Sequence, residues 1–197
     1  MQLKPYQKLP LATMVHIYNT TALLVINAIS CFAIIVQIYK HELPCPLCLL
    51  QRIGFLAIGI GYLLNIVYKS QAKHYVMSNI AAAITILIAG RQVLLHIAPH
   101  DVGYGLPFLG LHLYTWVLML ATFVILLNSL FIYVFNDNIF LEPSNSISSL
   151  THINRVVIVS YIALICLNMC LNFMECGLTQ CVSDPIHYIY HDSIFSH

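Results

Sequence analysis

Five apolar runs dominate this sequence, and each is long enough to cross a lipid bilayer, which takes about 20 residues. They are predicted at roughly 14–38, 47–68, 75–97, 111–135 and 155–174. Because lipid offers the backbone no hydrogen bonds, each run is expected to be helical. Of 197 residues, 60% are hydrophobic and only 8% are charged, which excludes a soluble globular domain. The sequence therefore predicts an all-α membrane protein, a bundle of about five transmembrane helices.

Basic residues near the ends of these runs predict how the bundle is oriented, because they favour the cytoplasmic side. Lys4 and Lys8 precede the first run, Lys69 and Lys73 separate the second and third, and Arg155 opens the fifth. With five crossings, these three places share one face. We therefore expect a cytoplasmic N-terminus and a C-terminal tail on the opposite side. The net charge of +1 favours membrane lipids, and not nucleic acid, as surroundings.

The seven cysteines fall into two groups, four in close pairs outside the apolar runs and three inside them. The pairs are Cys45 with Cys48 and Cys176 with Cys181. Between the pairs the chain crosses the membrane four times, so both should emerge on the same outer face, where disulfides persist. This divides the chain into a transmembrane domain, 1–174, and an outer tail, 175–197. The cysteines inside the runs, expected to be buried apolar fillers, are Cys31, Cys166 and Cys170.

The first pair forms a Cys-x-x-Cys motif at the start of the second run. Pro46 suits the first position of a helix, so the helix should begin between the two cysteines. Cys48 would then lie in the first turn, where the helix dipole favours a thiolate, the reactive form of cysteine. Arg52 is four residues further and shares its helix face. The bland alternatives are a structural disulfide, half of a zinc site, or an arginine that reaches for lipid phosphates.

The segment Cys45-Pro-Leu-Cys48-Leu-Leu-Gln-Arg52 resembles the signature of the DsbB family, thiol:quinone oxidoreductases of the bacterial inner membrane. The resemblance continues through Arg91-Gln92 in the third run and covers about the first half of the chain. It implies a four-helix DsbB-like core plus one further helix, in a multi-pass inner-membrane protein with a periplasmic C-terminus. It also implies a catalytic Cys45–Cys48 pair coupled to ubiquinone or menaquinone. The implied electron donor is a periplasmic DsbA-like oxidase with a thioredoxin fold.

The candidate quinone-binding residues are Gln51, Arg52, Arg91 and His96. Arg52 is implied by the resemblance, which places Cys48 toward the quinone. Arg91 is about as deep in its run as Arg52, although it too could reach for lipid phosphates. His96 ends the third run and His112 opens the fourth, so either could donate to a quinone carbonyl or simply face water.

The chain departs from the DsbB pattern in the loop between the third and fourth runs, which normally carries a second cysteine pair. Here residues 98–110 contain no cysteine. The tail pair offers a substitute, because seven extended residues reach more than about 20 Å, enough to approach Cys45. We therefore count Cys176 and Cys181 as catalytic residues, a shuttle disulfide. The alternative is a structural clasp in the tail.

Three functions are compatible with these sequence features. The first is an enzyme that makes disulfides by passing thiol electrons to a quinone. The second is a membrane metal- or haem-binding electron carrier that uses His96, His112 and the external cysteines. The third is a non-catalytic assembly or transport protein with structural disulfides.

Overall fold

The computed structural model describes residues 5–40, 44–68, 70–98, 103–105, 107–139, 152–177 and 181. Five α-helices contain most of them: α1 (Pro5–Lys40), α2 (Pro46–Val67), α3 (Ala72–Leu95), α4 (Leu113–Ile139) and α5 (His152–Cys176). Each contains a segment that is long and apolar enough to cross a membrane. The predicted all-α bundle of five transmembrane helices is therefore confirmed.

The helices extend beyond the predicted apolar runs. The first helix begins at Pro5, well before residue 14, and the fourth continues to Ile139. The fifth ends at Cys176, so the first cysteine of the second pair is its last helical residue. The difference has a simple cause: hydropathy marks the part that lipid can surround, whereas helical hydrogen bonds continue wherever the backbone allows them.

Helix α2 is central and contacts each of the other four. Small residues let its neighbours approach closely, as is common between membrane helices. A Cβ atom built at Gly61 would collide with the backbone oxygen of His74 and the hydroxyl of Ser78 on α3. A Cβ at Gly59 would collide with the ring of Tyr161 on α5. The glycines of α2 thus fix how closely both helices pack.

Buried polar side chains connect the helices within the apolar bundle. The Asn128 Oδ1 atom on α4 accepts hydrogen bonds of 2.7 Å from the hydroxyls of Tyr18 on α1 and Tyr62 on α2. The Asn128 amide group donates to Asn79 on α3 at 2.9 Å. One asparagine therefore joins four helices, which suits a medium in which unpaired polar groups are costly.

The outward faces of the helices carry large apolar side chains, as lipid contact requires. Cys31, Cys166 and Cys170 are free thiols on these exposed faces. The prediction that they fill the bundle interior is wrong. Burial inside a span depends on the face of the helix, and a cysteine in a uniformly apolar run gives no signal of its face.

Both cysteine pairs lie at one end of the bundle, which we call the cysteine end. It comprises the last residues of α1, α3 and α5 and the first residues of α2 and α4. The connection between α3 and α4 contributes Tyr104 and a short turn closed by backbone hydrogen bonds between Phe108 and Leu111. The side of the membrane that this end faces stays a prediction from the basic residues.

Candidate functional site

The first disulfide joins Cys45 and Cys48 at the start of α2, with 5.0 Å between their Cα atoms. The helix begins at Pro46, as the sequence predicts, and Cys45 is its N-cap residue. The Cys48 backbone N–H donates to the Cys45 sulfur at 3.2 Å, so a sulfur replaces the usual hydroxyl or carboxylate of an N-cap. The positive end of the helix dipole therefore lies at the disulfide.

A buried glutamine of α3 contacts both sulfur atoms. The Gln92 Nε2 atom lies 3.3 Å from the Cys45 sulfur and 3.5 Å from the Cys48 sulfur. Its Oε1 atom accepts a hydrogen bond of 2.6 Å from Gln51 Nε2 on α2. Gln51 and Gln92 are 4% and 1% exposed, so the amide pair next to the disulfide is shielded from solvent.

Cys48 faces a cavity between α1, α2 and the start of α4, which we call the Cys48 cavity. It measures about 150 Å³. Its walls are mainly apolar, with Ile29, Ala33, Val36, Phe55, Leu113 and Val117 among them. The polar groups that line it include Ser30, Gln37, Gln51, Arg52 and Tyr114.

Arg52 spans the gap between α2 and α1 at this cavity. Its Nη1 atom donates to the Oε1 atom of Gln37, and its Nη2 atom donates to the backbone oxygen of Ala33 at 3.1 Å. The Arg52 guanidinium also interacts electrostatically with Glu175 near the end of α5. A charge within the membrane needs such partners, and these hold the guanidinium close to Cys48.

Cys45 faces a different space, a groove between α2, α3 and α5 that we call the Cys45 groove. Its apolar lining includes Pro46, Leu47, Leu50 and Leu95. Its polar and reactive lining includes Arg91, Gln92, His96, Asn172 and Cys181. Tyr104 lines both the groove and the Cys48 cavity. The two cysteines of one disulfide therefore line separate spaces.

The second disulfide joins Cys176 and Cys181, with 4.7 Å between their Cα atoms. Gly177 follows the last residue of α5 with a positive φ of 60°, the conformation in which glycine commonly ends a helix. Its N–H donates to the backbone oxygen of Phe173 at 2.8 Å. Cys176 is buried, whereas Cys181 is half-buried and lines the Cys45 groove. Cys181 of the second pair thus lines the same groove as Cys45 of the first.

The predicted quinone-binding residues do not come together in one place. Gln51 and Arg52 line the Cys48 cavity. Arg91 and His96 line the Cys45 groove, on the other side of the disulfide. The His96 ring also stacks on Tyr114, with 5.7 Å between centroids, and His112 stacks on the same ring.

Three polar residues of this region were missed as site residues. They are Gln37, Gln92 and Glu175, each buried. The available signal was the rarity of polar side chains in apolar runs, since such residues within a membrane are usually functional. Many other asparagines and serines share that signal here, so it does not single out these three.

Comparison with known proteins relates part of this chain to one family. Residues 16–104 match the family model described as Disulfide bond formation protein DsbB. The chain is 36% identical over 86 residues to Disulfide bond formation protein B of Xylella fastidiosa (strain 9a5c), covering 41% of this chain and 50% of the relative. It is 41% identical over 75 residues to the protein of that name from Xanthomonas axonopodis pv. citri (strain 306), covering 36% and 44%.

These matches span about half the length of the curated relatives. No solved structure is significantly similar to this chain. The region matched by the family model contains Cys45, Cys48, Gln51, Arg52 and the site residues of α3, but it ends before the second cysteine pair. Together with the five apolar helices, it supports the predicted localisation as a multi-pass protein of the bacterial inner membrane. The resemblance to the DsbB family is therefore confirmed, and residues 16–104 carry it.

Proposed function

We propose that this chain is a membrane thiol:quinone oxidoreductase that makes disulfides. In this proposal it oxidises a periplasmic, DsbA-like partner with a thioredoxin fold and reduces ubiquinone or menaquinone in the membrane. Cys45 and Cys48 form the disulfide that is coupled to the quinone. Cys176 and Cys181 form the disulfide that exchanges with the partner.

The separation of the two sulfurs of the Cys45–Cys48 disulfide carries this proposal. Cys45 faces a groove that also contains Cys181. Cys48 faces an apolar cavity that contains a guanidinium. A disulfide between two such spaces can receive electrons on one side and release them on the other. A purely structural disulfide has no need of either space.

The Cys48 cavity fits the ring of a quinone. A cavity of about 150 Å³ can hold a single six-membered ring, and apolar walls with a few polar groups are typical of small-molecule sites. Arg52 and Gln37 lie where they could bind a ring oxygen, while Ile29, Val36 and Phe55 would contact its faces. A bound quinone would supply an acceptor for two electrons and two protons.

The cysteines transfer electrons by two balanced exchanges. In the first, a partner thiolate attacks the Cys176–Cys181 disulfide, and completion of the exchange leaves the partner oxidised and the second pair as two thiols. In the second, a thiolate of that pair attacks the Cys45 sulfur, the Cys45–Cys48 bond breaks, and its electron pair goes to the Cys48 sulfur. The remaining thiol of the second pair then attacks the mixed disulfide. The second pair is again a disulfide, and the first pair carries both electrons.

The sequence predicts quinone binding by Arg91 and His96, but their position on the other side of the disulfide favours a different role. Both line the groove that Cys45 and Cys181 also line. A cation there would favour the thiolate that attacks Cys45, since the thiolate is the reactive species. We propose that these two residues act on the exchange side of the disulfide.

The test is quinone reduction by the purified protein with a reduced thioredoxin-fold oxidase as donor, followed by the absorbance of the quinone. Cys48→Ala and Cys176→Ala are expected to abolish turnover. Cys166→Ala, which removes a free thiol on an exposed face, should keep full activity. If only Cys48→Ala abolishes turnover, the chain is still an oxidoreductase, but the second cysteine pair does not carry electrons to the first. An inactive parent protein would overturn the proposal.

A further inference from the structure

The amide pair Gln51–Gln92 is the strongest feature of the site that the proposed route of electrons does not use. Gln92 comes from α3, yet its side chain reaches the N-terminus of α2 and contacts both sulfurs. Both amides are almost fully buried. Burying two glutamine side chains in an apolar bundle costs free energy unless hydrogen bonds compensate for it. We therefore asked what function this pair could serve at the disulfide.

We propose that Gln92 is a further catalytic residue that stabilises the thiolate released when the Cys45–Cys48 disulfide opens, and that Gln51 is the positioning residue that orients its amide. This inference rests on the redox role proposed above for Cys45 and Cys48. It assigns to these two amides an effect on the thiol–disulfide equilibrium of that pair.

The Gln92 side chain places an N–H donor next to both sulfurs. The Gln92 Nε2 atom lies 3.3 Å and 3.5 Å from the two sulfurs, so either sulfur has an N–H donor within reach when it becomes the leaving group. Neutral disulfide sulfurs are weak acceptors, whereas a hydrogen bond to a charged group is roughly twice as strong as a neutral one. The contact therefore favours the opened, anionic state over the disulfide.

The orientation of the Gln92 amide depends on Gln51. A glutamine side chain can turn either its N–H groups or its oxygen toward the sulfurs. Gln51 Nε2 donates to Gln92 Oε1 at 2.6 Å, and that oxygen lies 3.9 Å from the Cys48 sulfur, farther than the Gln92 Nε2 atom lies from either sulfur. In the reversed orientation, two N–H groups would face each other at Gln51, and an oxygen lone pair would face the thiolate.

The two sulfurs have different polar neighbours besides Gln92. The Cys45 sulfur receives the Cys48 backbone N–H at 3.2 Å in addition to Gln92. The Cys48 sulfur borders the cavity with Arg52. Gln92 is thus the one side chain with a donor shared by both sulfurs among the contacts that the structure describes here. It can serve the thiolate whichever cysteine is attacked.

The effect is measurable without quinone or partner. Trypsin cleaves after Lys40 and Arg52 and releases fragment 41–52, which contains Cys45 and Cys48 and no other cysteine. The full-length protein is equilibrated in redox buffers of dithiothreitol, its thiols are alkylated, and mass spectrometry gives the reduced fraction of this fragment. Failure of the proposed quinone reaction would leave this equilibrium measurable, so the two proposals fail separately.

Gln92→Met should make the Cys45–Cys48 disulfide harder to reduce. Loss of one charge-assisted hydrogen bond predicts an equilibrium constant changed about tenfold, which for a two-electron couple is a potential about 30 mV more negative. Gln51→Met should shift the equilibrium in the same direction by a smaller factor. Because Gln51 acts through Gln92, the double variant should match Gln92→Met alone.

The control is Asn168→Leu, which removes a buried amide of α5 whose N–H group donates to the backbone oxygen of Leu164 in its own helix. It should leave the equilibrium of fragment 41–52 unchanged. If Gln92→Met does not fold, Gln51→Met alone decides the question. An equilibrium constant within twofold of the parent in a folded Gln92→Met or Gln51→Met protein would overturn the proposal. A shift of equal size in Asn168→Leu would overturn it as well.

Discussion

Arg52 is the residue on which the proposed quinone site depends. Its guanidinium is held by two acceptors of α1, the side chain of Gln37 and the backbone oxygen of Ala33. Planar guanidinium groups can keep two such partners and still offer further donors. The guanidinium is therefore fixed in advance at the edge of the Cys48 cavity, so that a bound ring need not order it.

Arg52→Met should raise the KM for quinone at least tenfold, because it removes the charged donor of the cavity. Gln37→Met should raise it by a smaller factor, since Ala33 still holds the guanidinium. Steady-state quinone reduction measures both values. The matched control is Arg155→Met, an exposed arginine near the start of α5, which should leave the KM unchanged. An unchanged KM in Arg52→Met would place the quinone elsewhere.

Arg91 is the second arginine within the apolar runs, and its two candidate roles are quinone binding and an effect on thiol exchange. As a residue of the Cys45 groove, it should affect exchange and not quinone binding. Arg91→Met is then expected to keep the quinone KM within about twofold while the rate of reduction by the donor falls severalfold, because the attacking thiolate loses a nearby cation. Measuring the two substrates separately distinguishes these effects. A rise in the quinone KM as large as that of Arg52→Met would restore Arg91 to the quinone site.

Much of the site could be predicted from the sequence, but its division into the Cys48 cavity and the Cys45 groove could not. Pro46 and the spacing of Cys48 and Arg52 predict a helix that begins between the cysteines, because these signals are local. Gln92 and Gln37 reach the site from other helices. Which face of α1 or α3 turns toward α2 depends on packing, and runs that are apolar on all sides carry little information about it.

At the scale of the helices, the contact between α2 and α3 holds the site together. Gln92 reaches the disulfide only if α3 packs closely on α2, and Gly54 and Gly61 permit this packing, because a Cβ atom at either would collide with α3. The positions of the five helices follow from hydropathy, because lipid imposes a length and a composition on each. Which helices are neighbours, and how closely they pack, depends on single small or polar residues. Hydropathy does not predict these contacts.

Gly61→Ala should destabilise the bundle by roughly 1–3 kcal/mol, the usual cost of overpacking a close contact. The added methyl group would meet the backbone of His74, which cannot move aside as a side chain can. Gly90→Ala is the control, because the nearest atom to its added methyl group is Leu118 Cδ1 at 3.9 Å. Thermal unfolding in detergent, followed by circular dichroism, compares the two variants. Equal midpoints would show that the glycine contact does not limit packing.

At the scale of the whole molecule, the four helices between the two pairs bring both disulfides to the same end of the bundle. The chain leaves Cys48, crosses the bundle four times and ends α5 beside the groove of Cys45. In the proposed function, the end of the fifth helix carries the exchange disulfide, and the loop between α3 and α4 contains no cysteine. The basic residues predict that this end faces the periplasm, where a thiol-bearing partner can reach it.

Labelling with a membrane-impermeant maleimide tests this orientation. In reduced, right-side-out spheroplasts, the tail cysteine Cys181 should react, because it lies at the outer end of the bundle. A cysteine introduced by Lys73→Cys should react only in inverted vesicles, because the positive-inside rule places it in the cytoplasm. The background Cys166→Ala/Cys170→Ala removes the two thiols of the tryptic fragment 156–197 that lie outside the second pair, which leaves Cys176 and Cys181. The reverse pattern would invert the predicted topology.

The order in which the two pairs are reduced shows whether electrons pass from the second pair to Cys45–Cys48. The oxidised protein, freed of quinone, is mixed with reduced thioredoxin-fold donor and quenched by alkylation over time, and fragments 41–52 and 156–197 are quantified by mass spectrometry. The account predicts that thiols appear first in the tail fragment and then in fragment 41–52. It also predicts that Cys176→Ser/Cys181→Ser leaves fragment 41–52 oxidised. Reduction of fragment 41–52 at an unchanged rate in that double variant would contradict the account, because electrons would then enter at Cys45–Cys48 without the second pair.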